Sequence, residues 1–343
     1  MKEAPECMND VVKNIQEELV KVDLNVGEEG ERLVKISKSF SEEERRKLVA
    51  LLREYEDVFA WSYQEMPGLS PRLVTYKLKV DPNAKPMKEP PRKYYLDVEE
   101  KIKLEVQKLL KAGFIVEIEC LSWLANIVPV KKKVSQIRIC VDFRDLNKAC
   151  PKDEFPLPNV DILVDAATNH ERFSFTNGYS AYNQIFMDPT DAPKTTFRTP
   201  FGNYFYKVMH FGLKNTNATY QRTMTLIFGD MLNKHVEDYV DDLVVKAKNP
   251  FEHLLHLRQV FERCREHNLK INPSKCAFGV SLEKFLGFLV HYRGIDLDPT
   301  KAEAITAPSP PTTLKELRSF VGKVSYLRRF ILGLAKILKP LME

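Results

Sequence analysis

Two adjacent carboxylates, Asp241 and Asp242, carry the most specific chemistry in this sequence. They follow Tyr239-Val240 and precede the apolar run Leu243-Val244-Val245, a pattern typical of two strands joined by a tight turn. Like charges this close repel and push their pKa values apart, and a divalent cation relieves the repulsion. Such carboxylates hold the ions of two-metal phosphoryl-transfer sites, which lie about 3.5–4 Å apart. The alternative is an ordinary turn with solvated Asp side chains.

Composition limits the class of protein. At about 150 residues per domain, 343 residues predict roughly two domains. The 52 Lys and Arg against 47 Asp and Glu give a net charge of +5, which is compatible with a polyanionic partner. The six cysteines form no C-x-x-C pair, which favours a reduced intracellular protein without a zinc site. Because no apolar run reaches membrane-spanning length, we expect no membrane contact, with the cytoplasm as the location and the nucleus as the alternative.

Apolar spacing predicts the elements that position the doublet. Residues 1–40 are polar and weakly patterned, and we expect a linker or tail there. Ser41 and Glu44 predict a capped helix, and a second helix is expected from Asp97 to about Gly113. The runs 123–130 and 137–144 predict a hairpin carrying basic residues.

The second half alternates strands and helices without a regular pattern. We predict a strand at 173–175, helices at 216–232 and 251–267, and strands and turns over 271–296. A proline-rich hinge at 308–311 leads to a second capping box, Thr313 and Glu316, which opens a basic helix. This interleaving, without βαβ repeats, favours an α+β fold.

An ordered set of motifs then resembles the reverse transcriptase of gypsy-type LTR retrotransposons. In chain order the motifs are Val141-Asp142-Phe143-Arg144, Leu146-Asn147-Lys148, Phe155-Pro156-Leu157-Pro158, Gly178-Tyr179-Ser180-Ala181-Tyr182, Phe211-Gly212-Leu213, Tyr239-Val240-Asp241-Asp242, Asn272-Pro273-Ser274-Lys275 and Phe285-Leu286-Gly287. The resemblance runs from about residue 45 to the end. It implies a right-hand polymerase fold, with a linker region and short helix over 1–95, fingers and palm over 96–295, and a partial thumb or start of the connection over 296–343.

The resemblance also implies an activity and its partners. The family extends a primer with dNTPs on an RNA or DNA template, using Mg²⁺ (or Mn²⁺). An intact element would add protease, ribonuclease H and integrase domains. We expect these to be absent here, since no Asp-Thr/Ser-Gly signature precedes the domain and the chain stops at Glu343.

Site residues carry over by position in the motifs. Asp241 and Asp242 resemble the catalytic metal ligands, and Lys275 resembles the residue that protonates pyrophosphate. Arg138 resembles the residue that meets the triphosphate, where a guanidinium would offset phosphate charge. Tyr182 resembles the steric gate against a 2′-hydroxyl. The remaining resemblances are Phe211 and Gln221 in the template–dNTP floor, Phe285 and Gly287 in the primer grip, and Lys131, Lys132, Lys133, Arg328 and Arg329 on nucleic-acid phosphates. The alternative for Tyr182 and Phe211 is an ordinary core aromatic. The alternative for Arg138, Lys275 and the basic C-terminal helix is a solvated charge.

One departure bears on activity. The family has its first metal aspartate where this sequence has Asn177. An amide offers one neutral oxygen, and its N–H groups repel a cation. Losing a unit charge about 4 Å away forfeits ~4 kcal/mol at an effective dielectric of ~20, which equals roughly three decades in rate. Asp188, Asp191 and Asp238 are nearby acids, but their spacing selects none as a substitute.

We therefore predict a catalytically impaired reverse transcriptase domain. Two alternatives stay open. Polymerisation persists with Asn177 as a weak neutral ligand, or the chain is a non-catalytic remnant that binds nucleic acid through its basic fingers hairpin and its basic C-terminal helix.

Overall fold

The computed structural model describes residues 17–25, 31–119, 122–131, 137–307 and 309–342. Lys132 and Lys133 lie outside these residues, as does the side chain of Lys131, so their predicted phosphate contacts stay predictions. Within the described ranges, no helix combines the length and apolar character needed to cross a membrane.

The helices begin at local signals that the sequence contains. Both predicted capping boxes form, Ser41 with Glu44 and Thr313 with Glu316, and each satisfies backbone N–H groups that a helix start leaves free. The helices are α1 Glu42–Glu54, α2 Leu96–Lys111, α3 Arg144–Lys148, α4 Val160–Ala167, α5 Thr216–Phe228, α6 Pro250–His267, α7 Pro299–Thr306, α8 Leu314–Ser325 and α9 Leu334–Met342.

The strands that the structure describes form three sheets. The strands are β1 Leu19–Asp23, β2 Leu33–Ser37, β3 Ile115–Glu117, β4 Ala125–Lys131, β5 Ile137–Val141, β6 Arg172–Asn177, β7 Phe197–Thr199, β8 Gly202–Tyr206, β9 Val236–Tyr239, β10 Asp242–Ala247, β11 Ala277–Val280, β12 Leu282–Phe285, β13 Phe288–His291 and β14 Gly294–Leu297. The sheet orders are β1-β2-β11-β6-β10-β9, β3-β8-β7-β4-β5 and β12-β13-β14. The predicted hairpin over 123–144 is confirmed as β4–β5.

The six-stranded sheet separates two apolar clusters and positions the carboxylates. On one face, Val245 and Phe278 join the large core that includes residues of α1 and α6. On the other face, Phe173 and Val244 pack with residues of α4 and of the β12–β13 hairpin. Because successive strand residues point to opposite faces, this two-sided burial fixes the register of β6 and β10 and therefore the direction of the side chains at their ends.

The expectation of a linker over residues 1–40 is wrong where the structure describes that segment. Strands β1 and β2 pair with each other, and β2 pairs with β11 in the central sheet. Val34 and Ile36 are fully buried. Two alternating five-residue strands were present in the sequence, but the acidic stretch around Glu28-Glu29 concealed them. The domain boundaries at 95 and 295 stay predictions.

Replacing Ile36 tests whether β2 is part of the core. We expect Ile36→Ala to lower the free energy of unfolding by about 2–4 kcal/mol, because it removes buried methyl groups and leaves a cavity. The matched control is Lys38→Ala, which removes only an exposed ion pair with Glu18 and should cost less than about 1 kcal/mol. Urea denaturation measures both, and equal small effects would contradict the packed strand.

Candidate functional site

The turn between β9 and β10 presents the carboxylate doublet. Val240 has a φ of 54°, a left-handed conformation that a β-branched residue adopts only under constraint. Gln221, on α5, supplies that constraint through two hydrogen bonds to the turn and its preceding strand. Its side-chain oxygen accepts a 2.8 Å hydrogen bond from the Val240 backbone N–H, and its amide nitrogen donates a 2.6 Å bond to Asp238.

Gln221 therefore positions the turn. It is only 2% exposed, and both ends of its amide are used within the protein. The structure places Gln221 beneath the Val240 turn, and its predicted place in the floor that contacts template and dNTP stays a prediction. Burial, more than the neighbouring Asp241 and Asp242 charges, raises the pKa of Asp238 well above its usual range. Asp238 is thus a buried carboxyl group whose contact with Gln221 helps to hold the turn.

Asp241 is a half-buried carboxylate. Its Oδ1 atom is buried and has no hydrogen-bond partner among the described residues. Burial and the Asp242 charge raise its pKa to about 6, against the opposing effects of Lys275 and Arg138. Asp242 is exposed beside it. Such an arrangement is stabilised when a cation binds.

Asn177 lies directly opposite Asp242 in the β6–β10 register. Its amide nitrogen donates a 3.0 Å hydrogen bond to Asp242 Oδ1, and its Oδ1 accepts a 3.0 Å bond from the Lys275 ammonium. Both ends of the amide are satisfied in this orientation only, since an ammonium cannot accept a hydrogen bond and a carboxylate cannot donate one. The amide oxygen, which is the one atom of the Asn177 side chain able to bind metal, thus accepts a hydrogen bond from Lys275.

This donor set fits one divalent ion and does not fit a bridged pair. Asp241 and Asp242 supply carboxylate oxygens. At the third position, Asn177 directs an N–H group toward Asp242, and its oxygen accepts a hydrogen bond from the Lys275 ammonium. Among the residues that the structure describes, no three His, Cys, Asp or Glu side chains gather into a metal site. A two-ion site needs carboxylates that contact both ions, and the residue that would supply the third carboxylate is an amide.

A cleft of about 280 Å³ opens on the side of the doublet that faces Arg138 of the β4–β5 hairpin, the side of the predicted fingers. Arg138, Phe211, Asp241 and Lys275 all line it. The Arg138 guanidinium lies 5.6 Å from the centre of the Phe211 ring. Arg138 is predicted to meet the triphosphate and Phe211 to form part of the floor. The structure places both beside the predicted catalytic residues Asp241 and Lys275.

Tyr182 lies beneath this cleft. Its ring contacts Phe211 at 4.5 Å between centroids, and its hydroxyl donates a 2.7 Å hydrogen bond to Asn217. With 5% exposure, it supports Phe211, whose ring lines the cleft. Its role as a steric gate stays a prediction.

A second cleft of about 350 Å³ lies on the other side of the doublet. It extends from Asn177 and Asp242 to the β12–β13 hairpin, where Phe285 is buried against Phe175. Leu286 and Gly287 make the two-residue turn with φ of 50° and 93°, as a tight hairpin requires. A side chain at Gly287 would meet the Lys301 ammonium at 2.5 Å. Both predicted primer-grip residues therefore shape the hairpin itself, and their contact with a primer stays a prediction.

Arg328 and Arg329 have acidic partners within the protein. Arg328 pairs with Asp161 at 2.8 Å, and Arg329 pairs with Asp161 and Asp165, both on α4. The sequence did not reveal these acids as partners because they lie more than 160 residues away. These ion pairs attach the segment after α8 to α4, and contact of either arginine with a nucleic-acid phosphate stays a prediction.

Comparisons with known proteins agree with this geometry. Residues 130–290 match the family model described as reverse transcriptase (RNA-dependent DNA polymerase). The Drosophila melanogaster Pol polyprotein from transposon 297 is 35% identical over 69% of this chain, and that from transposon 412 is 32% identical over 88%. The Schizosaccharomyces pombe transposon Tf2-3 polyprotein is 32% identical over 69%. The chain belongs to the reverse transcriptase family. Its matched region spans 23%, 25% and 18% of those three polyproteins.

Solved structures confirm the fold of this reverse transcriptase domain. The foamy viral protease–reverse transcriptase in complex with double-stranded DNA superposes with a TM-score of 0.78 at 21% identity, covering 89% of this chain and 53% of that one. The same enzyme with an RNA/DNA hybrid gives 0.77, covering 89% and 40%. The predicted α+β right-hand polymerase fold and the resemblance to gypsy-type elements are confirmed.

The raised pKa of Asp241 predicts how stability depends on pH. In the unfolded chain this carboxyl group titrates near ~3.9 and in the folded chain at about 6, so its contribution destabilises the fold as pH rises from about 4 to 6. In EDTA, Asp241→Asn should therefore raise the free energy of unfolding by about 1–3 kcal/mol at pH 8 and by less than about 0.5 at pH 4.

Urea denaturation at the two pH values measures this difference. The control is Glu100→Gln, on the exposed surface of α2, which should change stability by less than about 0.5 kcal/mol at either pH. A loss of stability in Asp241→Asn at pH 8, or a gain of equal size at both pH values, would contradict a destabilising effect of the Asp241 charge.

Proposed function

We propose that this chain binds a template–primer and an incoming dNTP as a reverse transcriptase does, and that its chemical step is impaired. The observation that supports the impairment is the hydrogen-bonded position of Asn177 between Lys275 and Asp242. The rest of the site retains the groups that such a reaction needs.

The fingers-side cleft is suited to a triphosphate. Arg138 is exposed there and would pair with phosphate oxygens through its planar guanidinium. Lys275 lines the same cleft and would stabilise charge that develops on the leaving pyrophosphate. Phe211 would lie against the nucleotide, with Tyr182 behind it as the support that limits space near the sugar.

Asp241 and Asp242 would hold a divalent cation, Mg²⁺ or Mn²⁺, which supplies charge stabilisation to a phosphoryl-transfer site. Without a carboxylate at position 177, the residues of this site provide for one ion. The protein would still position primer and nucleotide, and positioning without full charge stabilisation gives weak or undetectable extension.

A second candidate function follows from the same hydrogen bonds. If Lys275 keeps Asn177 engaged when substrates bind, the chain is a non-catalytic nucleic-acid-binding remnant of its element. In either case we propose RNA or DNA template–primer as the partner and the cytoplasm or nucleus as the location. Protease, ribonuclease H and integrase domains would act beside it in an intact polyprotein.

Restoring the carboxylate separates these possibilities. We expect little or no primer extension by the natural chain with Mg²⁺ or Mn²⁺. Asn177→Asp should extend the primer faster by roughly three decades. A carboxylate charge about 4 Å from a bound cation is worth ~4 kcal/mol, which corresponds to a rate change of that size. Single-nucleotide incorporation on a DNA primer annealed to an RNA template measures the rate.

The matched control is Asn177→Asp combined with Asp241→Asn, which restores one carboxylate and removes another, and it should lose the gain. Natural activity equal to that of Asn177→Asp would overturn the impairment. Template–primer binding by both chains, without extension by either, would support the non-catalytic remnant.

A further inference from the structure

Lys35 lies in the N-terminal strand β2, and its neighbours force its side chain away from the core. Val34 and Ile36 are fully buried, and Ile36 lies opposite Phe278 of β11. Because strand residues alternate between the two faces of a sheet, Lys35 projects to the face that bears Phe175 and Ala277. All three line the 350 Å³ cleft.

The same cleft reaches the catalytic doublet. Asn177, Asp242 and Lys275 line one part of it, and Phe285 of the β12–β13 hairpin lines another. The Lys35 ammonium donates a 3.1 Å hydrogen bond to the Ser274 carbonyl, within the short 3₁₀ turn Pro273–Lys275 that carries Lys275. Two ammonium groups are therefore held beside one cleft.

Neither ammonium is paired with a carboxylate within the part of the chain that the structure describes. Lys35 bonds a neutral carbonyl, and Lys275 bonds the neutral Asn177 amide. Of the other charges along the cleft, Lys284 pairs with Asp298 at 3.2 Å, and Glu17 accepts hydrogen bonds from Ser281 and Leu282. Asp242 and Glu283 also line the cleft. The Lys35 and Lys275 ammonium groups each use one of their three N–H donors in these bonds, and the remaining donors can bind an anion that enters the cleft.

The position of the cleft identifies the anion, and this step rests on the proposed function. A primer that reacts at Asp241 and Asp242 places its 3′ end there, and its next phosphodiester lies a few ångströms along the strand. The cleft toward Phe285 provides that space. We propose that Lys35 binds a phosphodiester of the primer strand close to the 3′ end, and so acts as a positioning residue for the primer.

Equilibrium binding tests the contact without depending on catalysis. The full chain is titrated against a fluorescent DNA template–primer in EDTA, at salt concentrations between about 50 and 200 mM. We expect Lys35→Gln to weaken binding by about three- to tenfold. The slope of log K against log salt should fall in magnitude by about 0.7–0.9, as loss of one phosphate contact predicts.

Two variants control for charge and fold. Lys38→Gln removes a nearby charge that pairs with Glu18 outside this cleft and should bind as the natural chain does. Lys35→Arg keeps the positive charge and should retain most of the affinity. Loss of affinity in Lys35→Arg with a lowered melting temperature would show a structural role and overturn the proposal.

Neutral methylphosphonate linkages locate the phosphate. Placed singly near the primer 3′ end, one such linkage should weaken binding by the natural chain and have little further effect on Lys35→Gln, because the two changes remove the same contact. Neutral linkages in the template should weaken both proteins equally.

Wild-type affinity and salt slope in Lys35→Gln would overturn the primer contact while leaving the proposed function intact. A neutral template linkage whose effect on binding is not additive with that of Lys35→Gln would also overturn it. If the natural chain binds template–primer at none of these salt concentrations, the proposed function itself is wrong.

Discussion

The hydrogen bonds of one amide decide how this site is arranged. Asn177 donates to Asp242 and accepts from Lys275, each at 3.0 Å. With an aspartate in its place, the same position would carry a negative charge beside Asp242 and an ion pair with Lys275, and a cation would then be required between the carboxylates. The amide removes that requirement, because its N–H satisfies Asp242 directly. An amide at position 177 thus leaves the site one negative charge closer to neutral than a carboxylate would.

The fold around this amide is that of a polymerase. Strands β6 and β10 bring Asn177 and Asp242 opposite each other, and two-sided burial of the central sheet fixes that register. Gln221 and the buried Asp238 hold the strained Val240 turn from below. A scaffold that keeps a β-branched residue in a left-handed conformation stores strain of the order of 1–3 kcal/mol. The scaffold holds this geometry with an amide at position 177.

Local patterns in the sequence predicted much of this structure. Capping boxes, apolar stripes and the alternation around Tyr239 to Val245 gave the helices and the central hairpins, because those signals act over a few residues. The ordered motifs gave the family. The grouping of Arg138, Phe211, Asp241 and Lys275 around one cleft also followed from them.

The contacts that the sequence did not reveal join residues far apart in the chain. Nothing near Arg329 indicates that Asp165 is its partner, and nothing near Gln221 indicates that it lies beneath Val240. Strand β2 was missed because five alternating residues in a polar segment are a weak signal, and its place beside β11 depends on a partner about 240 residues later. Lys35, which that strand brings to the cleft, was missed for the same reason.

Counting bound metal tests the effect of Asn177 most directly. The chain is mixed with template–primer ending in a dideoxynucleotide and with the matching dNTP, and free Mn²⁺ is followed by electron paramagnetic resonance. We expect one fewer Mn²⁺ per complex in the natural chain than in Asn177→Asp, because the amide and Lys275 leave ligands for a single ion at the doublet. Equal numbers of ions bound with equal affinity would show that Asn177 serves as a ligand after all, and would contradict an impairment that arises from this residue.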